Sequence, residues 1–357
     1  LQFDICNFQF AKKTQHFIKY QTTKLKQQPF KETSVTAPWI TYRPELKVLD
    51  CTVRDGGLVN DHMFEDGFVR AIYDACVEAG IDYMEVGYKA DNKLIARDNF
   101  GAWKFCKEDD ICRVVGDNPT PLKLTAMVDA GKSDWRNDVL HKKDSVLSMI
   151  RVAFYANQVS EAMDMIKDAK DKGYEVSANL MAVTTVKEQE IDQVLEVLVT
   201  SPTDVIVVVD SYGAMYAEQV ELLVKKYLDY CKASGKQVGI HAHNNQQLAF
   251  ANSIEAIIHG ANRIDASMAG LGRGAGNCPM ELLIGFLRNP KFKIRPVYQV
   301  IQERLLPLSR QVEWGPNVQY NITGQLNEHP RSAIAARGNG ERRDNYIDFY
   351  DRLTSDI

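Results

Sequence analysis

Eight times between residues 47 and 290 a short apolar run gives way to a stretch with helical spacing, and this alternation constrains the fold more than any other feature of the chain. The apolar runs fall at 47–51, 83–88, 123–128, 145–153, 175–183, 205–211, 237–243 and 263–269. Helical spacing follows at 65–79 and 92–107, less regularly after the third run, then at 160–172, 186–199, 217–233 and 246–259, and again from Pro279. Gly80, Gly173 and Gly260 stand where helices would stop, glycine being the residue that takes the left-handed cap most cheaply. Runs such as Val205-Ile206-Val207-Val208-Val209 are apolar at every position, which is the signature of strands covered on both faces in a parallel sheet. Eight such units predict an α/β fold of the (β/α)8 TIM-barrel type, with a doubly wound open sheet as the structural alternative. The 357 residues then divide into an N-terminal arm (1–45), a barrel (46–290) and a C-terminal helical extension (291–357), read as packing on the barrel or on a second subunit.

The arm differs in character from the barrel segment. Lys12, Lys13, Lys19, Lys24, Lys26 and Lys31 face only Asp4 and Glu32, and no apolar period is visible. No arginine precedes Arg43, unlike a mitochondrial presequence, and the compact apolar core of a secretory signal is missing. A peripheral arm is the expectation. The net charge of −4 and the absence of a basic patch interleaved with aromatics give no sign of nucleic-acid binding, and no apolar run is long enough to span a membrane. The seven scattered cysteines, with no CxxC pair, do not form a disulfide framework and point to a reducing, cytoplasmic setting.

Active sites of such barrels lie at the C-terminal ends of the strands. The seventh run ends in Gly239-Ile240-His241-Ala242-His243-Asn244-Asn245. Side chains two apart on a strand share a face, so His241 and His243 present two imidazoles together, suited either to a divalent metal or to a merely hydrogen-bonded polar pocket. The first run ends in Asp50-Cys51-Thr52-Val53-Arg54-Asp55-Gly56-Gly57, placing a guanidinium and a carboxylate at the same rim. Glu85 lies inside the second run, Arg151 in the fourth and Asn179 in the fifth. An acid in an apolar strand is costly unless paired, and Arg54 is the expected partner of Glu85. The eighth run leads into Ala269-Gly270-Leu271-Gly272-Arg273-Gly274-Ala275-Gly276-Asn277-Cys278-Pro279, whose backbone N–H groups at a helix start suit a carboxylate or phosphate. No register of it reads G-x-G-x-x-G, and it sits in the last unit, so a dinucleotide fingerprint is not indicated. Asp55, His241 and His243, completed by Asn277 or water, form an oxygen–nitrogen ligand set without thiolate; that set fits Mg²⁺ or Mn²⁺, with Zn²⁺ or Co²⁺ as further options. Two histidines and a carboxylate also describe non-haem iron oxygenases, which use a different, antiparallel fold.

These motifs together resemble the DRE-TIM metallolyases (the HMGL-like group with its pyruvate carboxyltransferase domain). Arg54-Asp55-Gly56, His241-Ala242-His243-Asn244 and Gly270-Leu271-Gly272 with Gly276-Asn277 carry the resemblance, over about residues 47–290. Ala251-Asn252-Ser253 and Asp265-Ala266-Ser267-Met268-Ala269-Gly270 look most like the 4-hydroxy-2-oxovalerate aldolase branch. The resemblance implies a divalent metal on Asp55, His241 and His243 and an enolate oxygen steadied by Arg54; Glu85, Arg151 and Asn179 in the strands, with Gly272 and Gly274 in the glycine-rich loop, are the expected substrate contacts. The implied reaction makes or breaks a carbon–carbon bond in a 4-hydroxy-2-oxo acid, releasing pyruvate and an aldehyde. The chain departs from the pattern at Gly57, where lyase and synthase branches continue with Glu or Gln, and at Leu58, where the aldolase branch carries its histidine base. His62, a water or Tyr212 then stands as the substitute base. A Claisen-type acyl-CoA lyase or 2-oxo-acid acyltransferase is the alternative activity, and a non-catalytic barrel acting in a complex is the third reading. Symmetry suggests a homo-oligomer, and the aldolase branch suggests an aldehyde dehydrogenase partner, although residues 291–357 do not obviously match the domain that docks it.

Overall fold

The computed structural model describes residues 43–338 and 343–355. The expected arm therefore lies almost wholly outside the described residues. The strands are β1 (Lys47–Asp50), β2 (Tyr83–Tyr88), β3 (Lys123–Asp129), β4 (Leu147–Phe154), β5 (Glu175–Leu180), β6 (Val205–Asp210), β7 (Gln237–Ala242) and β8 (Arg263–Ala266). All neighbours pair in parallel and β8 returns to β1, with Lys47 opposite Arg263 and Asp50 opposite Ala266, so the sheet is a closed barrel. The open doubly wound sheet is excluded. The barrel helices are α1 (Asp66–Ala79), α2 (Glu108–Val115), the single turn α3 (Trp135–Asp138), α4 (Val159–Asp171), α5 (Glu188–Thr200), α6 (Ala217–Cys231), α7 (Ala249–Ile258) and α8 (Met280–Leu287).

Local chemistry accounts for most of these boundaries. In α1 the buried residues Val69, Ile72, Tyr73, Cys76 and Ala79 recur at helical spacing and face the sheet, the amphipathic stripe that drives a surface helix onto a core. The helix stops at Gly80, whose φ of 73° is left-handed. A side chain there would strike the Lys291 carbonyl. On β6 the odd positions Val205, Val207 and Val209 form their own cluster inside the barrel, while Ile206 and Val208 join the larger core under the helices.

One expectation fails. Residues 92–107 do not form a helix: short 3-10 turns occupy Arg97–Asn99 and Ala102–Lys104, and the helix of this unit is α2, further on. Tertiary packing overrides the helical period here. Gly101 presses so close to the His62 carbonyl that a Cβ would lie 1.9 Å from it, and its N–H donates to the Asp61 carbonyl. The helix starts only where Glu108, Asp109 and Asp110 complement its N-terminal dipole.

After the barrel come α9 (Ile294–Val300), α10 (Val318–Gln325), α11 (Arg331–Gly338) and α12 (Tyr346–Thr354). They pack on the barrel itself. Val297 and Val300 of α9 join the main core. Tyr320, Ile322, Ala333, Ala336 and Phe349 form a second small core around Ala275 of the loop after β8. No helix among the described residues is long and apolar enough to cross a membrane, and all six described cysteines are free.

Candidate metal centre

Asp55 lies on a short turn of helix, Thr52–Gly56, directly after β1, and every residue of that turn is buried. Asp50 holds the turn: its carboxylate accepts from the Thr52 amide at 3.1 Å and the Thr52 hydroxyl at 2.6 Å. The Thr52 hydroxyl in turn accepts from the Met268 amide after β8 at 2.8 Å. The two ends of the closed sheet are thereby tied together at the rim. Burial raises the Asp50 pKa to about 7.

The structure brings Asp55, His241 and His243 together, all buried, with one ligand atom of each within 4.8 Å of the others. Three polar atoms around them make no hydrogen bond although they are buried: His241 Nε2, His243 Nδ1 and Asn277 Oδ1. Buried polar atoms are almost always paired, and each exception asks for an explanation. A divalent cation supplies one, since imidazole nitrogens and an amide oxygen without a proton are the donors it needs. Burial drives the His243 pKa well below its ordinary value, against the pull of Asp55, so its ring is neutral and its lone pair available. Burial alone would raise Asp55, but the Arg54 guanidinium, which donates to it at 2.7 Å, keeps the carboxylate ionised. Asn277 donates its Nδ2 to Asp55 Oδ2 at 2.7 Å and to the Leu271 carbonyl at 3.3 Å; that leaves its oxygen free.

A buried ladder of alternating charge runs from this trio through the barrel. Arg54 donates from Nη1 to Asp55 Oδ1 and from Nε to Glu85 Oε2, each at 2.7 Å. Arg151 donates to the same Glu85 oxygen at 2.9 Å, to Asn179 Oδ1 at 3.0 Å and to Asp265 Oδ2 at 2.5 Å. Asp265 Oδ2 also lies 3.0 Å from His241 Nδ1. Burial would raise the pKa of Asp265, yet Arg151 and His241 hold it below its usual value. As a carboxylate it accepts the Nδ1–H, fixing the tautomer that leaves Nε2 bare. This is how proteins orient metal-ligating histidines.

The remaining sequence-predicted residues fall into place around this frame. Gly272 approaches so closely that a Cβ would sit 2.3 Å from Asn277 Nδ2 and 2.5 Å from Asp55 Oδ2. Gly274 instead faces the Tyr320 ring of α10 and accepts from the Gly315 amide at 3.1 Å. The glycine-rich loop is less open to an anion than its composition suggests. Gly270, Leu271, Gly276, Asn277 and Cys278 donate their N–H groups to carbonyls of Ser267, Met268, Arg273, Gly270 and Ala242. His62 is buried, and both its ring nitrogens lack partners. It fills the space that Gly57 leaves, where a Cβ would meet its Nδ1 at 2.1 Å. Its ring stands edge-on to Tyr88 at 5.4 Å, and burial, with Lys104 and Arg54, lowers its pKa to about 3. Tyr212 stacks edge-on with His329 of the C-terminal extension at 5.5 Å.

Sequence reasoning missed Asp265, which holds His241, and Tyr88, which lies against Arg54. Asp265 was within reach, because it is an acid inside an apolar strand just as Glu85 is. Tyr88 was not. The β2–β3 register shifts between Glu85 and Tyr88, a bulge at Gly87, whose φ of 155° lets the backbone pass the Trp103 carbonyl. That irregularity re-aims Tyr88 so that its hydroxyl lies 3.4 Å from Arg54 Nη1.

Comparison with known proteins supplies the context for this geometry. The model of the HMGL-like family matches residues 45–302. A 4-hydroxy-2-oxovalerate aldolase of Rhodococcus opacus is 30% identical over 241 residues, 68% of this chain and 70% of its own length. Its counterpart in Rhodococcus jostii matches to the same extent. Among solved structures, the N-terminal domain of a Bacteroides vulgatus protein provisionally assigned as an aldolase superposes with a TM-score of 0.68. It is 28% identical, and the match covers 83% of this chain and 98% of that one.

Proposed function

This chain belongs to the HMGL-like family, and from that premise we propose that it cleaves, or in reverse forms, a carbon–carbon bond in a 4-hydroxy-2-oxo acid, with pyruvate and an aldehyde as the other side of the reaction. It is a carbon–carbon lyase of the aldolase type, as are its curated relatives. The observation that carries the finer reading is the meeting of Asp55, His241 and His243, with ligand atoms within 4.8 Å of one another, where His241 Nε2, His243 Nδ1 and Asn277 Oδ1 are left unpaired. These residues would hold a divalent cation, Mn²⁺ or Mg²⁺ by donor type. When bound, it supplies Lewis-acid polarisation of the 2-oxo oxygen.

The chain's own residues do the rest. Arg54 is held at two edges by Glu85 and Asp55, and its Nη2 makes no hydrogen bond among the described residues. That donor is free for the enolate oxygen, a fixed cation where negative charge develops. Glu85, Arg151 and Asn179 are positioning residues: they engage one another and keep Arg54 and His241 in register. The uncharged His62 ring is the candidate to take the substrate 4-hydroxyl proton at a ring nitrogen. The surrounding burial excludes water from the site. Gly272, having no Cβ, lets the loop backbone lie close against Asp55 and Asn277.

The test is pyruvate release from 4-hydroxy-2-oxo acids before and after EDTA treatment, with restoration by Mn²⁺, alongside His241→Ala. Activity that survives metal removal unchanged would overturn the mechanism. The Claisen-type alternative is separated by assaying thioester cleavage on the same preparation; the absence of Glu or Gln at Gly57 speaks against it.

A further inference from the structure

Against the same Tyr88 ring that Arg54 approaches stands a lysine with no carboxylate in ion-pair range among the described residues. Lys104 Nζ lies 4.5 Å from the Tyr88 ring centroid and 5.6 Å from that of Phe100. Among the described residues it makes no hydrogen bond or ion pair. Asp129, at the end of β3, and Asp61 act on it through space, but neither comes within ion-pair range, and Asp129 is approached instead by Lys132 at 3.6 Å. The lysine is not a loosely tethered surface group. Its turn is clamped: Gly101 N–H donates to the Asp61 carbonyl at 2.9 Å, and Ala90 N–H to the Lys104 carbonyl at 3.1 Å. Trp103 Nε1–H donates to the Phe64 carbonyl at 3.1 Å. The ring faced by Lys104 is also the one whose hydroxyl meets Arg54 at 3.4 Å and whose edge meets His62. Burial lowers the Lys104 pKa, the response of a half-buried ammonium without a partner. The ring faces hold the ammonium in place by cation–π attraction, and its charge, with no carboxylate in ion-pair range, is left to pair with an anion.

We propose that Lys104, with the Tyr88 and Phe100 rings, forms a subsite for a carboxylate carried on the aldehyde half of the substrate, so that the enzyme takes an oxo-acid aldehyde in preference to a neutral one. The direction follows from Arg54. Its Nη1 reaches both Asp55 Oδ1 at 2.7 Å and the Tyr88 hydroxyl at 3.4 Å, and so links the metal-ligand trio to the ring that Lys104 faces. The 2-oxo acid occupies the Asp55 side, and the carbons beyond the cleaved bond extend past Arg54 toward Tyr88 and Lys104. This rests on the aldolase reading above and deepens it.

The experiment compares kcat/KM for pyruvate aldol addition to glyoxylate or succinic semialdehyde with that for acetaldehyde or propanal. The wild-type ratio favours the carboxylate-bearing acceptors, and in Lys104→Met it falls roughly tenfold to a hundredfold, the loss of one desolvated charge-assisted contact. Lys104→Arg retains most of the preference. A wild-type preference for neutral aldehydes, or a ratio unchanged in Lys104→Met, overturns the subsite; the wild-type ratio decides even where Lys104→Met does not fold. Binding of succinate to the metal-free wild-type protein and to Lys104→Arg, followed calorimetrically, is the second arm. Salt-sensitive binding by both that is lost in Lys104→Gln supports the subsite, and binding that ignores residue 104 overturns it. Absence of any aldol turnover with an intact succinate result would sink the aldolase reading and leave the anion site standing.

Discussion

The barrel holds two clusters of charge, one at each mouth, and they are built to opposite rules. At the N-terminal mouth Glu175 accepts from Tyr83 Oη at 2.9 Å, Lys123 Nζ at 3.2 Å and Arg263 Nη2 at 2.6 Å, while Arg263 Nε donates to Gln237 Oε1 at 2.5 Å. Lys123 and Arg263 also lie 5.3 and 4.9 Å from the Tyr83 ring centroid. No buried side-chain atom of these five residues lacks a partner. At the C-terminal mouth, Glu85 Oε1, both nitrogens of His62, His241 Nε2, His243 Nδ1 and Asn277 Oδ1 are all buried and unpaired. A charge cluster that satisfies itself closes the bottom of the barrel and has nothing left to offer a ligand. One that leaves donors and acceptors bare in a low-dielectric interior carries a standing cost, which a bound cation and substrate would relieve.

Substitutions at the two mouths should therefore separate activity from stability. The largest effect is expected from Asp55→Ala, which removes the one carboxylate of the ligand trio: kcat/KM for pyruvate release should fall by about 10³-fold or more, with Mn²⁺ uptake lost in equilibrium dialysis. Arg54→Ala should cost roughly 10²–10³-fold in kcat, the scale of deleting one oxyanion donor, while metal uptake persists. A retained kcat would place the developing charge elsewhere. Asp265→Asn should weaken metal affinity by about 10–100-fold, read as a shift in the Mn²⁺ concentration that half-restores turnover.

Acid should expose the unpaired ring at the upper mouth. His62 titrates near 6.5 when unfolded, and burial lowers it to about 3 in the folded chain. The unfolded state then binds the extra proton between these values, so stability is whole above the upper one and declines as pH falls toward the lower. From pH 7 to pH 5 the loss from this group is about 2 kcal/mol. His62→Gln should show a smaller drop in urea midpoint over that interval; an equal drop would mean that other groups carry the acid sensitivity. The smallest effect on catalysis belongs to the lower mouth. Glu175→Gln should lower stability by roughly 1–3 kcal/mol, seen as a lower Tm, with kcat kept within about twofold. A collapse of kcat without loss of Tm would erase the contrast between the mouths.

Much of this was legible in one dimension. The eightfold alternation pointed to the barrel because strands buried on both faces need cover on each side, and closure supplies it with helices outside and the strands' own side chains inside while leaving no edge. Period two on β7 put His241 and His243 on one face, and the placement of sites at strand ends brought Asp55 to the same rim. The linear order of residues thus pointed to the architecture, the family, and the meeting of Asp55, His241 and His243 at the C-terminal mouth. Three things were decided only in the folded chain. The 92–107 segment gave up its helical period because Gly101 had to lie against the His62 carbonyl. Tyr88 turned toward Arg54 because β2 bulges at Gly87. Gly57 and His62, five positions apart, became one feature, the glycine making room for the ring. The physical reason is common to all three. Periodicity reports which face of an element meets the core, whereas close approach of backbone to backbone, and the choice of which polar atoms stay unpaired, depend on neighbours that are distant in the chain and meet only when the barrel closes.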